Sequence, residues 1–168
     1  DVGAKTSNLI YAEGSKFFTR SVAIGGAVLT SAIAKEYNVS FAEAENSKLT
    51  NGLVTLGGGH AAQLDESTAA LGTIIRNSLT RLTAEIQRTN TLFRSQHGGS
   101  APTRVMLAGG SANLPYLKEF LEEKLNLPVE FFNPLQRISA GKGVDVDALA
   151  SEAHTLGELV GLGIRAAE

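Results

Sequence analysis

Cysteine is absent from all 168 residues. This excludes a disulfide framework and a thiolate metal site, and it suits a reducing cytoplasm. Three histidines, His60, His97 and His154, lie in separate segments without metal-ligand spacing. No apolar run approaches the length of a membrane span, so direct membrane insertion is not expected. Lys and Arg total 15 against 17 Asp and Glu, a net charge of -2, which leaves no electrostatic footprint for nucleic acid. No signal peptide is evident. The chain opens on Asp1 rather than a methionine and is read as a fragment or processed product. Its length suits one domain or one lobe, and with 43% hydrophobic residues it can bury a core.

The most informative stretch is Arg104-Val-Met-Leu-Ala-Gly-Gly-Ser-Ala-Asn-Leu-Pro-Tyr-Leu117. Val105 to Ala108 reads as a short buried strand. The run breaks at Gly109-Gly110 and resumes at Asn113 as a helical pattern, with Leu114, Leu117, Phe120, Leu121 and Leu125 on one face. Such a corner favours anions, because glycine admits close approach to the backbone and the first helix amides are expected to be unpaired. An ordinary strand-to-helix turn uses the same residues.

Ahead of it, residues 1 to 24 read as a hairpin, with strands at Leu9–Ala12 and Phe17–Ile24 around Glu13-Gly14-Ser15. Before the hairpin comes Asp1-Val-Gly-Ala-Lys-Thr6. A strand-end carboxylate can hold Mg2+ through water while turn amides and a threonine hydroxyl meet phosphate oxygens. A plain hairpin turn has the same composition. Ile24-Gly25-Gly26 leads into a helix over about 27 to 37. Ser40 and Glu43 form a capping box for a second helix, in which Glu45 and Lys48 share a face. That pair is either a surface ion pair or a carboxylate and ammonium aimed at ribose hydroxyls. Gly57-Gly58-Gly59-His60 lacks the Gly-Lys-Ser/Thr ending of a P-loop and reads as a connection. A helix from Glu66 to Ser95 follows, its Arg76, Arg81, Arg88 and Arg94 on a solvated face. After the 113–125 helix come a strand at Leu127–Phe132, a loop with a short helix over 135 to 150, and a last helix from Leu156 to Ala167. The strand–helix–strand order implies a parallel pair.

In order and spacing these segments resemble the second lobe of the actin-like ATPase superfamily. Asp1 to Thr6 resembles its second phosphate motif, Leu107-Ala-Gly-Gly-Ser-Ala-Asn-Leu-Pro115 its adenosine motif, and Ala44-Glu-Asn-Ser-Lys48 its ribose-facing helix. Phe18-Thr-Arg20, Ile24-Gly-Gly26, Leu29-Thr30, Ala42-Glu-Ala-Glu-Asn-Ser-Lys48, Glu85-Ile-Gln-Arg88, Asn133-Pro134 and Gly161-Leu-Gly-Ile-Arg165 make the resemblance greatest to the type IV pilus assembly family PilM and the cell-division family FtsA.

That resemblance implies an α/β lobe of ribonuclease-H-like type. Residues 1–24 and 101–168 would form the core subdomain and 25–100 an inserted, mostly helical one. ATP and Mg2+ are the implied cofactors. Asp1 would hold the water-coordinated Mg2+ and orient the attacking water, and Gly3, Ala4, Lys5 and Thr6 would line the β- and γ-phosphates. Glu45 and Lys48 would meet the ribose, and Gly109, Gly110, Ser111 and Asn113 the adenosine and α-phosphate. The parent protein would be a cytoplasmic scaffold recruiting the cytoplasmic tail of an inner-membrane pilus protein, through a site on the absent first lobe. Ala4-Lys5 departs from the glycines many relatives carry there. A strand leading into Asp1 would be missing, leaving a sheet edge for self-association. The 168-residue chain by itself is expected to lack ATPase activity, and FtsA-like membrane attachment is disfavoured because no basic amphipathic tail follows Arg165. Two other functions fit the pattern: a lobe of a sugar or acetate kinase, and an interaction module whose nucleotide site has decayed.

Overall fold

A computed structural model of the chain describes residues 1–139, 141 and 143–167. The hairpin forms from β1 (Ser7–Glu13) and β2 (Lys16–Val22), antiparallel with Ser7 opposite Val22 and Glu13 opposite Lys16. Gly14 takes the left-handed φ of +58° that its turn needs. A second, parallel pair joins β3 (Val105–Leu107) to β4 (Val129–Phe131) through α4 (Leu117–Leu125). The expected parallel pair is therefore present.

Val2 connects the two sheets. It bridges to Ser7 on one side, while on the other its amide donates to the Ala108 carbonyl at 2.7 Å. Its carbonyl accepts from the Ser111 amide at 3.0 Å.

Between the sheets in sequence lie α1 (Gly26–Tyr37), α2 (Phe41–Asn51) and α3 (Glu66–Gln96). The capping box at Ser40 and Glu43 forms with both reciprocal bonds in place. Asn38 ends α1 in the left-handed conformation, its amide bonded to the Ala34 carbonyl. The second half of α3 lies on the hairpin: Arg20 reaches Glu85 at 2.8 Å and Thr89 at 3.1 Å, and the Tyr11 hydroxyl donates to the Ile86 carbonyl at 3.1 Å. One apolar cluster, with Ile33, Val54, Ile75 and Phe120 wholly buried, runs from Val2 and Val22 through the helices to Val129.

One expected element divides. The pattern over 113–125 is a 3-10 turn, Gly110–Asn113, followed separately by α4. Pro115 accounts for the break, since its ring forces Leu114 into extended backbone (φ -62°, ψ 120°). Tyr116 then takes a φ of +64° before the helix begins. Beyond β4, the chain makes a 3-10 turn at Pro134–Arg137, then α5 (Val146–Ala150), a 3-10 turn at Ala153–Thr155 and α6 (Gly157–Ala167).

Candidate functional site

The turn Asp1–Thr6 closes with the Gly3 amide on the Thr6 carbonyl at 3.0 Å. Its carbonyls do a second job. The first amides of α1 need acceptors, and no side chain caps them. Instead Gly26 donates to the Gly3 carbonyl at 3.0 Å and Ala27 to the Ala4 carbonyl at 2.7 Å. A Cβ at Gly25 would stand 2.6 Å from the Gly3 oxygen. Glycine at 25 therefore lets α1 start directly on this turn, while the side chains of Ala4, Lys5 and Thr6 remain exposed.

The Gly109–Asn113 turn meets the same residues from the other side. Ser111 Oγ donates to the Gly3 carbonyl at 3.0 Å. Gly109 has φ +94° and ψ 160°, backbone open essentially to glycine alone. A Cβ there would collide with the Asp1 carboxylate and stand 2.6 Å from the Val2 oxygen. The expectation of unpaired helix amides here needs correcting. The Gly109 amide donates to the His154 carbonyl at 3.1 Å, Ser111's to Val2 and Ala112's to Gly109 at 3.0 Å. The Gly110 amide is the one in this run with no partner among the described residues, and a Cβ at Gly110 would meet nothing within 4 Å.

Glu45 and Lys48 form an ion pair of 2.8 Å at the start of α1. Lys48 Nζ also donates to Thr30 Oγ1 at 2.9 Å and to the Gly26 carbonyl at 3.2 Å, and Thr30 contacts the Glu45 carboxylate. Burial alone would raise the Glu45 carboxyl, but hydrogen bonds from Lys48 and Thr30 and the lysine charge hold it below the usual glutamate range. A Cβ at Gly26 would stand 2.8 Å from Ser111 Oγ and 3.3 Å from Lys48 Nζ. Gly26 is thus where the turn from the amino end, the Gly109–Asn113 turn and the Glu45–Lys48 pair come together. Asn113 lies further along. It lines a cavity of about 470 Å3 with Phe131, Asn133, Gln136 and His154, and its amide is 3.5 Å from the Glu152 carboxylate.

Three residues at this wall escaped the sequence reading as site residues. Thr30, one helical turn after Gly26, carried a signal in its spacing. Asn8 and Ser21 carried none, because they meet only through the hairpin register. Asn8 Nδ2 donates to Asp1 Oδ2 at 2.9 Å, and Ser21 Oγ donates to Asn8 Oδ1 at 2.6 Å.

The donor set suits a magnesium-bound nucleotide. Asp1 offers the hard anionic oxygen that magnesium takes, Lys5 and Thr6 an exposed cation and hydroxyl, and Gly110 an amide with no partner among the described residues and open space beside it. Among the described residues no three His, Asp or Glu cluster as a preformed metal cage. Magnesium is commonly held by one or two carboxylates together with phosphate oxygens.

A family model described as type IV pilus assembly protein PilM matches residues 1–167. A solved PilM–PilN type IV pilus biogenesis complex matches with a TM-score of 0.78 and 26% identity, over 100% of this chain and 45% of that one. MreB 5 of Spiroplasma citri bound to AMPPNP matches with a TM-score of 0.63 and 14% identity, over 97% of this chain and 50% of that one. Ethanolamine utilization protein EutJ from Carboxydothermus hydrogenoformans gives 0.56 and 20%, over 78% and 42%. The last two likenesses concern the fold, the actin-like ATPase fold. The chain spans about half or less of each of these proteins.

Proposed function

The chain belongs to the PilM family of type IV pilus assembly proteins, and from that premise we propose that it is the nucleotide-binding second lobe of an actin-like cytoplasmic scaffold. The Asp1–Thr6 and Gly109–Asn113 turns hold the phosphates of Mg-ATP between them, and Glu45 and Lys48 face the ribose. The observation that carries this reading is the Ser111–Gly3 hydrogen bond of 3.0 Å, which joins the two turns into one wall. Residues 1–24 and 101–168 act as the core subdomain and 25–100 as the inserted one. The whole protein recruits the cytoplasmic tail of an inner-membrane pilus protein, as the PilM–PilN pairing of its relative suggests. No helix among the described residues is long and apolar enough to cross a membrane.

In this reading a bound magnesium ion supplies charge neutralisation at the phosphates. Asp1 keeps an anionic oxygen facing the cation, Lys5 and Thr6 present a cation and a hydroxyl to phosphate oxygens, and Gly110 adds an amide donor. Lys48 has to turn from Thr30 and Gly26 to reach a ribose hydroxyl. That internal satisfaction of Lys48, with the Cβ of Ala4 in the phosphate turn, favours the second reading, an interaction module whose nucleotide site has decayed. Calorimetric titration of the protein carrying both lobes with Mg-ATP decides between them. Saturable binding weakened by Asp1→Ala and Lys48→Ala supports the nucleotide reading, and no heat of binding supports decay.

A further inference from the structure

We propose that Asn8 is the positioning residue for the Asp1 carboxylate, with Ser21 locking Asn8 in the orientation that does so; the inference rests on the reading of Asp1 as the carboxylate that faces a metal-bound nucleotide. Asp1 and Asn8 sit opposite each other where the chain enters β1. The Asn8 amide donates to the Asp1 carbonyl at 2.8 Å, and the Asp1 nitrogen donates to the Asn8 carbonyl at 3.0 Å. That exchange fixes the two backbones and leaves the side chains alongside. Asn8 Nδ2 then donates to Asp1 Oδ2 at 2.9 Å.

A terminal amide can present either its nitrogen or its oxygen to a neighbour. Here the carboxylate, which only accepts, takes the nitrogen, and the oxygen end is anchored by Ser21, the cross-strand partner of Asn8 in the hairpin. Its hydroxyl donates to Asn8 Oδ1 at 2.6 Å, which holds the amide in place with Nδ2 on the carboxylate. The other carboxylate oxygen, Oδ1, packs against Gly109, where any Cβ would strike it. Asp1 is thus held at Oδ2 by an amide donor, with Gly109 leaving room beside Oδ1. A neutral donor suits this place, since it orients the carboxylate without discharging it. A lysine or arginine there would compete with a cation for the same charge. Supporting groups of this kind govern metal affinity through the ligand they hold.

The test uses protein carrying both lobes, saturated with ADP and titrated with Mg2+ by calorimetry, beside ADP binding in EDTA. Asn8→Ala is expected to raise the apparent Mg2+ dissociation constant about tenfold and Ser21→Ala to raise it less. Ser21→Thr, which keeps the hydroxyl, is expected to restore the wild-type value. ADP binding in EDTA stays unchanged in every variant. An unchanged Mg2+ constant in folded Asn8→Ala overturns the proposal. So does an equal loss of ADP binding with and without the metal, which would mark Asn8 as a support of the turn only. Should Asn8→Ala fail to fold, the Ser21→Ala and Ser21→Thr pair decides by the same criterion. Wild-type protein that binds no nucleotide overturns the proposal together with the reading beneath it, and that failure is seen before any variant is made.

Discussion

Ser111 Oγ and the Gly3 carbonyl, 108 residues apart in the chain, are hydrogen-bonded at 3.0 Å. The same carbonyl accepts from the Gly26 amide at 3.0 Å, so three separate glycine-bearing turns share one oxygen. Packing backbones this closely requires glycine at Gly25 and Gly109, because a Cβ at each would overlap neighbouring backbone, whereas at Gly26 a Cβ would crowd the Ser111 and Lys48 side chains. Gly110 is different: space beside it is open.

Gly109→Ala and Gly110→Ala should therefore separate folding from binding. Alanine at 109 must hold a conformation near φ +94° and also displace Asp1 and Val2. We expect a loss of at least about 2 kcal/mol, read by urea unfolding. Alanine at 110 meets no neighbour and should change stability by no more than about 0.5 kcal/mol, yet weaken Mg-ATP binding. Equal stability of the two variants would contradict the packing account.

The Arg76–Glu123 pair gives a pH signature. Arg76 in α3 reaches Glu123 in α4 at 2.6 Å and the Thr55 carbonyl at 2.5 Å, with its guanidinium 5.2 Å from the centre of the Phe120 ring. Hydrogen bonds from Arg76 and from the Gly57 amide lower the Glu123 carboxyl to about 2 from an ordinary 4.5. A group depressed in the folded state stabilises it above the unfolded value and loses that contribution as pH falls through the folded one. Arg76→Ala should cost about 1–2 kcal/mol near neutrality. The difference in Tm from wild type should shrink as pH falls from about 4.5 toward 2. A gap constant across that window would show that Arg76 acts through packing alone.

Most of the secondary structure was legible because it rests on local signals. Apolar spacing gave α3, the Ser40–Glu43 pair announced α2, and Gly14 placed the hairpin turn. The division of the 113–125 pattern was written in Pro115, whose effect on Leu114 outweighs the apolar period around it. At the site, Asp1, the glycine turns and the Glu45–Lys48 pair were readable as residue types in order, yet nothing local says that the Gly3 carbonyl joins the turns or that Lys48 reaches the Gly26 carbonyl. Asn8 and Ser21 were illegible for a plainer reason. Each is an ordinary strand residue until the register sets them opposite each other. The commitment of the Gly109 and Ser111 amides to His154 and Val2 is likewise a tertiary fact.

Tyr116 carries strain that a double-mutant cycle can expose. Its φ of +64° is costly for any residue with a Cβ, by about 1–2 kcal/mol. Its ring stands edge-on to His60 with centroids 4.8 Å apart, a contact worth about 0.5–1.5 kcal/mol. Tyr116→Gly relieves the first and forfeits the second, so its net effect on stability should be near zero. In a His60→Ala background the ring contact is already gone, and the same change should then stabilise by about 1 kcal/mol. Thermal unfolding of the four proteins checks this. No gain in the His60→Ala background would mean that the backbone at Tyr116 is not strained.

The purified 168-residue chain should not hydrolyse ATP. Hydrolysis of this kind depends on surrounding a charged phosphoryl group and aligning a water with it, and little of it is covalent work by the protein. On the proposed reading, residues 1–168 supply one wall: Asp1, the exposed Lys5 and Thr6, and the Gly110 amide. Only about half the length of the actin-like relatives is covered by this chain, and the facing wall, with the polar group that aligns the water, is expected from the remainder. A one-sided site leaves the phosphates open to bulk solvent, where charge is screened and donors gain little over water. Phosphate release by the chain should therefore equal that of Asp1→Ala protein prepared identically. Turnover above that control would mean that the turn at Asp1 suffices for chemistry, and would overturn the division of labour between two lobes.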